Sequence, residues 1–170
     1  DLDVSTIKEL PGGRKPIVTA HRFDNVRQIV MDFVASEIEK GRQVYFVFPL
    51  IEESEKLSLA DLMSGVAMIQ AYLPPPQYTY AVVHGRMKAT EKEFEMQRFK
   101  TGKADIMVAT TVIEVGVNVP NATVMVIENA DRFGLAQLHQ LRGRVGRGAE
   151  QSYCVLMTSH KLSKNARQRL

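Results

Sequence analysis

Continuous apolar runs of strand length constrain this chain more than any other feature. Val44-Tyr-Phe-Val-Phe48, Tyr80-Ala-Val-Val83, Ile106-Met-Val-Ala109 and the stretch Ala122 to Glu128 carry almost no polar alternation. A strand with one wet face alternates; a strand apolar at nearly every position is covered on both faces. The stretches between these runs carry helical spacing. Val26, Ile29, Val30, Phe33, Val34 and Ile38 fall on one helix face, with Asp24 as the expected N-cap and Gly41 as the stop. Strands buried on both sides and alternating with helices predict an α/β fold of three layers around a mostly parallel, doubly wound sheet.

The remaining elements fit that scheme. Pro16-Ile-Val-Thr19 reads as a first strand. Pro49 to Lys56 is a loop, and Leu57 to Tyr72 a helix closed by three prolines from Pro74. Thr90-Glu-Lys-Glu93 has capping-box spacing and opens a helix that runs to about Thr101. A helix from Leu135 to about Leu141, a strand from Tyr153 to Met157 and a last helix capped by Ser163 complete the series. A chain of 170 residues holds one such domain. With Asp1 at its start and a helical pattern running into Leu170, it reads as a piece of a longer protein. Its apolar runs are too short to span a membrane, and no signal or transit segment opens it. Cys154 is the single cysteine and sits in strand-like surroundings. His21, His84, His139 and His160 show no metal-ligand spacing, so no metal site is expected.

Charge is unevenly placed. From Arg132 to Leu170 there are eight Lys/Arg and one acid, Glu150, whereas the rest of the chain is mildly acidic. One surface built for a polyanion accounts for this, and so does a solvated basic face. The densest part is Gln137-Leu-His-Gln-Leu-Arg-Gly-Arg-Val-Gly-Arg-Gly148. Arg142, Arg144 and Arg147 are permanently charged forks that match phosphate oxygens, and the interleaved glycines let the backbone come close.

Ligands of doubly wound sheets bind beyond the C-terminal ends of the strands. The segments expected there are Phe48 to Ser54, His84 to Lys88, Thr110 to Pro120 and the arginine segment. Thr110 and Thr111 offer hydroxyls and N–H groups to a phosphate, or form an ordinary strand exit. His84-Gly-Arg-Met-Lys88 stands before a helix N-terminus; Arg86 and Lys88 either hold a nucleic-acid phosphate there or solubilise a turn. No G-x-x-x-x-G-K-[ST] loop is present, and no strand ends in an acidic pair for Mg²⁺. Arginines for a phosphate chain without a phosphate cradle point to half of a two-domain NTPase.

The series His84-Gly85, Phe99, Gly102, then Ala109-Thr-Thr with Gly116-Val-Asn-Val-Pro120, then Gln140-Leu-Arg-Gly-Arg-Val-Gly-Arg147, resembles the second RecA-like domain of superfamily 2 helicases. More narrowly, Thr111-Val-Ile-Glu-Val-Gly116, Ile127-Glu-Asn129 and Phe133 to Gly148 are similar to the RecG family of bacterial branch-migration helicases. Phe48 to Ser54 fits that family and argues against the transcription-repair coupling factors, which share the arginine segment.

The resemblance covers residues 1–170. It implies a linker from a preceding motor lobe over 1–15 and the start of a following helical segment over 158–170. It also implies a cytoplasmic, ATP-driven DNA translocase that remodels forks and Holliday junctions. Arg144 and Arg147 would be fingers for ATP, which is held with Mg²⁺ mainly by the absent partner lobe. Gly116, Asn118, Gln140 and Gly143 would serve the nucleotide side, and His84, Gly85, Arg86, Lys88, Thr110 and Thr111 would meet DNA phosphates. The wedge domain for branched DNA would lie elsewhere in the longer chain. Asn118 stands where the family usually has Asp, so its ribose contact would lack charge assistance. A transcription-repair coupling factor lobe and a non-catalytic nucleic-acid-binding module are the alternatives.

Overall fold

The computed structural model describes residues 15–51, 54–110 and 119–161. The elements run in the order β1 (Val18–Phe23), α1 (Arg27–Glu39), β2 (Gln43–Phe48), α2 (Glu55–Tyr72), β3 (Tyr80–Val83), α3 (Ala89–Lys100), β4 (Ile106–Thr110), β5 (Ala122–Ile127), α4 (Leu135–Arg142) and β6 (Tyr153–Thr158). Short 3-10 turns occupy Asp24–Val26 and Ala130–Arg132. The six strands form one sheet in the order β1-β6-β5-β2-β4-β3, and every neighbouring pair is parallel.

The apolar runs explain the layering. β2, β4 and β5 are buried at every position, as strands covered on both faces must be. One face packs Val44, Phe46, Val108 and Val126 against Val30 and Val34 of α1 and Leu62 and Ile69 of α2. The other packs Tyr45, Val47, Met107 and Met125 against Phe99 of α3 and Leu141 of α4. The outer edge of β3 is covered by α3. Glu95 Oε1 accepts from the Val82 N–H at 3.1 Å, and Arg98 donates to the Tyr80 carbonyl at 2.8 Å. An edge strand with its free groups occupied offers less to a stray chain.

Close packing also fixes how β2 leaves the sheet. The Phe48 ring lies directly on Gly65 of α2, where a Cβ would come within 2.3 Å of it. Only glycine admits the ring, so Gly65→Ala should displace it and destabilise the domain by about 1–3 kcal/mol. A lowered thermal midpoint checks this; an unchanged midpoint would mean that the ring has a second rotamer of equal energy.

Several local expectations are corrected. β1 begins two residues later than expected and runs to Phe23. Asp24 does not cap α1: its carboxylate receives the His160 N–H at 3.1 Å and pairs with His160 Nδ1 at 2.6 Å. It thus holds the exit of β6 against the turn after β1. The capping of α3 sits two residues earlier than Thr90–Glu93, with Glu91 Oε1 accepting from the Lys88 N–H at 2.9 Å. α2 starts at Glu55, because the Ser54 hydroxyl accepts from the Leu57 N–H at 3.1 Å. β6 runs on to Thr158, and the helix expected at Ser163 lies outside the described residues.

Candidate functional site at two opposite edges of the sheet

Because all strands run the same way, the sheet has one edge of C-terminal strand ends and one of N-terminal ends. At the C-terminal edge, beyond β2, β3 and β4, lies a cavity of about 140 Å³. Its walls include Glu55 and Ser58 of α2, the turn His84, Gly85 and Arg86, Lys92 of α3, and Thr110. Thr110 is 3% exposed, and its hydroxyl has no hydrogen-bond partner among the described residues. A buried hydroxyl left in this state is costly unless a ligand satisfies it.

Local chemistry shapes the cavity. Ser58 Oγ accepts from the Ile51 N–H at 2.7 Å and holds the loop after β2 onto α2. His84 Nδ1 accepts from the Arg86 N–H at 3.2 Å, which folds the turn so that Arg86 faces the cavity. Burial holds the His84 imidazole below its ordinary pKa; Glu91 opposes this, and Lys92 and Arg86 reinforce it. A neutral ring is what the Nδ1 acceptor role requires.

Lys92 is the residue that sequence reasoning missed. It sits half-buried in the first turn of α3, where the helix dipole disfavours a cation. Among the described residues no carboxylate pairs with it. Lys88, by contrast, is exposed outside the cavity wall and contributes its backbone to the start of α3.

The arginine segment is not beyond the C-terminal strand ends, as expected, but at the opposite edge. α4 leaves the C-terminal end of β5 and runs back across the sheet, so the loop after it emerges where β6 begins. Gly148 lies against the Pro120 carbonyl, just before β5, and Gly146 against Ile17, just before β1. Arg147 donates from Nε to the Gly143 carbonyl at 3.2 Å, which steadies an otherwise exposed side chain. Arg144 is half-buried. Both guanidiniums lie within electrostatic reach of the Tyr45 phenol: burial pushes that group up to about 12, and Arg144 and Arg147 pull the other way. Among the described residues neither arginine pairs with a carboxylate.

Arg142 differs. It donates from Nε to Thr19 Oγ1 at 2.7 Å and from a terminal nitrogen to the Ile17 carbonyl at 3.3 Å, so its fork is committed inside the domain. Gln140 is exposed on α4, and Gly143 closes that helix through its N–H to the His139 carbonyl at 3.1 Å.

The structure therefore joins His84, Gly85, Arg86 and Thr110 at one edge, and Gln140, Gly143, Arg144 and Arg147 in or after α4 on the way to the other. Thr111, Gly116 and Asn118 lie outside the described residues. Of the described residues that flank them in sequence, Thr110 ends β4 at the C-terminal edge and Pro120 lies beside Gly148. No three His, Cys, Asp or Glu side chains among the described residues are grouped to hold a metal. No described helix is long and apolar enough to cross a membrane.

Comparison with known proteins places this architecture. The helicase conserved C-terminal domain matches residues 22–149. The whole chain is 54% identical to the ATP-dependent DNA helicase RecG of Synechocystis sp., covering 20% of that protein. With RecG of Streptococcus pneumoniae it shares 55% identity over 95% of this chain and 24% of the relative. The chain thus spans about a fifth to a quarter of the length of the curated relatives it matches. Among solved structures, RecG bound to a three-way DNA junction matches 94% of this chain and 21% of its own, with 39% identity and a TM-score of 0.72. A Saccharomyces cerevisiae Dbp5 variant bound to RNA and ADP BeF3 shares the fold alone, at 14% identity and a TM-score of 0.61, over 90% of this chain and 38% of its own. With its parallel sheet, its arginine loop and a family match over most of its length, the chain belongs to the helicase conserved C-terminal domain family.

Proposed function

We propose that this chain is the second motor lobe of a cytoplasmic, RecG-type, ATP-dependent DNA helicase that remodels branched DNA. The observation that carries the reading is the separation of two phosphate-seeking groups. Arg144 and Arg147, with no carboxylate partner among the described residues, stand at the N-terminal edge, and the Thr110 hydroxyl, without a partner among them, stands with Arg86 and Lys92 at the C-terminal edge. Two polyanions can be held at once, one on each side.

ATP and Mg²⁺ fit this division. Two arginines that pair with no carboxylate among the described residues can meet a triphosphate. In this reading the phosphate cradle and the Mg²⁺ ligands are supplied mainly by a partner lobe, and the junction is met by a separate wedge domain. When bound there, ATP supplies the phosphoryl bond whose cleavage drives movement. Arg147, steadied by the Gly143 carbonyl, and Arg144 place positive charge at the transferring phosphoryl group. Gln140 lies between the nucleotide side and the DNA side, and Gly116 and Asn118 meet the ribose. On the DNA face, Thr110 and Thr111 donate hydroxyls to a backbone phosphate. His84, Gly85, Arg86 and Lys88 line its approach, and Lys92 adds charge within the cavity.

Contacts of this kind read phosphates rather than bases, so duplex affinity in the intact protein should fall steeply with salt. Lys92→Ala should weaken binding to all sequences alike and reduce the slope of log affinity against log salt by about one. A salt titration of Lys92→Ala beside Arg86→Ala and Lys100→Ala, the last remote from the cavity, checks this. If all three keep the wild-type slope, DNA does not use this edge. DNA binding without any DNA-stimulated ATP hydrolysis would favour the non-catalytic module.

A further inference from the structure

Arg144 and Arg147 project from a loop that is tied to the first strand of the domain. We infer that Arg142 and Thr19 form a positioning clamp that sets where Arg144 and Arg147 stand; the inference rests on the reading of those two arginines as ATP-facing. The ten residues 143–152 joining α4 to β6 are held on residues 16–19 at their start, middle and end. At the start, Arg142 bonds the Thr19 hydroxyl at 2.7 Å and the Ile17 carbonyl at 3.3 Å. In the middle, Gly146, at φ +80°, lies so close to Ile17 that a Cβ would stand 2.8 Å from its Cγ1. At the end, Gln151 Nε2 donates to the Pro16 carbonyl at 2.7 Å, and the Val18 N–H donates to the Ser152 carbonyl at 3.0 Å.

Arg144 and Arg147 lie between these anchors. A cation is welcome in the last turn of a helix, and any lysine supplies that. A rigid fork with one directed bond to an edge strand and one to the residue just before it does more, because it fixes the direction in which the chain leaves α4. Catalytic geometry is steep in distance: a misplacement of about 1 Å can cost roughly a hundredfold in rate. Arg142 is therefore spent on geometry rather than on ligand, although it belongs to the same run as the fingers.

Thr19→Val tests this in the intact protein. It preserves volume, branching and strand propensity and removes only the acceptor of the Arg142 Nε bond. Turnover at saturating ATP and DNA should fall roughly tenfold while KM for ATP and DNA affinity hold, because the interaction lost acts on the transition state. Thr19→Ser, which keeps the hydroxyl, should restore turnover. Arg142→Lys, which also gives up the fork's bond to the Ile17 carbonyl, should lose at least as much as Thr19→Val, and the double variant no more than Arg142→Lys alone, since the contact with Thr19 is already broken there. Normal kcat in Thr19→Val overturns the clamp, and so does equal impairment in Thr19→Ser, which would assign the effect to packing. If Arg144→Ala abolishes turnover while Thr19→Val is normal, the clamp fails and the fingers stand; if both arginine variants turn over normally, the two fall together.

Discussion

Arg144→Ala and Arg147→Ala, each made in the intact protein, are expected to lower kcat by roughly 10³–10⁵ while leaving DNA affinity nearly unchanged. The size of the loss reflects what an arginine finger does. It meets charge that develops as the phosphoryl group transfers, so its loss is felt in the transition state far more than in the ground state. The direction of the split reflects position. Both arginines stand at the N-terminal edge of the sheet, whereas Thr110, Arg86 and Lys92 line a cavity at the C-terminal edge. Lysine should rescue poorly at either place, since a point charge does not reproduce a planar fork. Steady-state ATPase assays at saturating DNA, with affinity measured separately, decide the matter. If Arg147→Ala kept its turnover and lost DNA binding, the arginine loop would belong to the DNA surface.

The core was legible because its signal is local. Tyr80–Val83 reads as a strand from its own residues, and Val44–Phe48 reads as a strand buried on both faces. Capping was less legible. Thr90 is a better N-cap by type than Lys88, yet the chain enters α3 at Lys88 because Glu91 reaches back to that N–H. This shift hid Lys92, whose position in the first turn is informative only once the turn is correctly placed.

The edge on which the arginines lie was open to inference and was missed. A helix joining two parallel strands must run against them, so a segment placed directly after α4 emerges at their N-terminal ends. Composition and motif carry no such direction. The different fate of Arg142 was not legible at all, since its partners Thr19 and Ile17 are more than 120 residues away and nothing nearby encodes them.

The largest expected loss of stability comes from another long-range pair, Arg27 and Glu128. The guanidinium makes two bonds to the carboxylate, at 2.8 and 2.7 Å, between the first residue of α1 and the residue just after β5. The two side chains are 13% and 4% exposed, so neither charge has much water to fall back on. Burial works against the charge on Arg27, and the bonds to Glu128 more than offset it, raising its pKa. Arg27→Met would leave the Glu128 carboxylate buried and alone, which costs about 3–5 kcal/mol. Replacing both, as Arg27→Met with Glu128→Leu, should recover most of the loss, because no charge is then stranded. Cys154 supplies the measurement. It is 1% exposed, burial pushes its thiol up to about 12, and it is the only cysteine of these 170 residues. It therefore reacts with a thiol reagent when the domain opens and hardly at all when it is closed. Where reclosing is fast, each 1.4 kcal/mol lost speeds labelling about tenfold, so Arg27→Met should accelerate modification of the Cys154 peptide by roughly two to nearly four orders of magnitude. Wild-type labelling in Arg27→Met would show that Glu128 finds water or another donor, and that the pair orients the start of α1 without holding the domain shut.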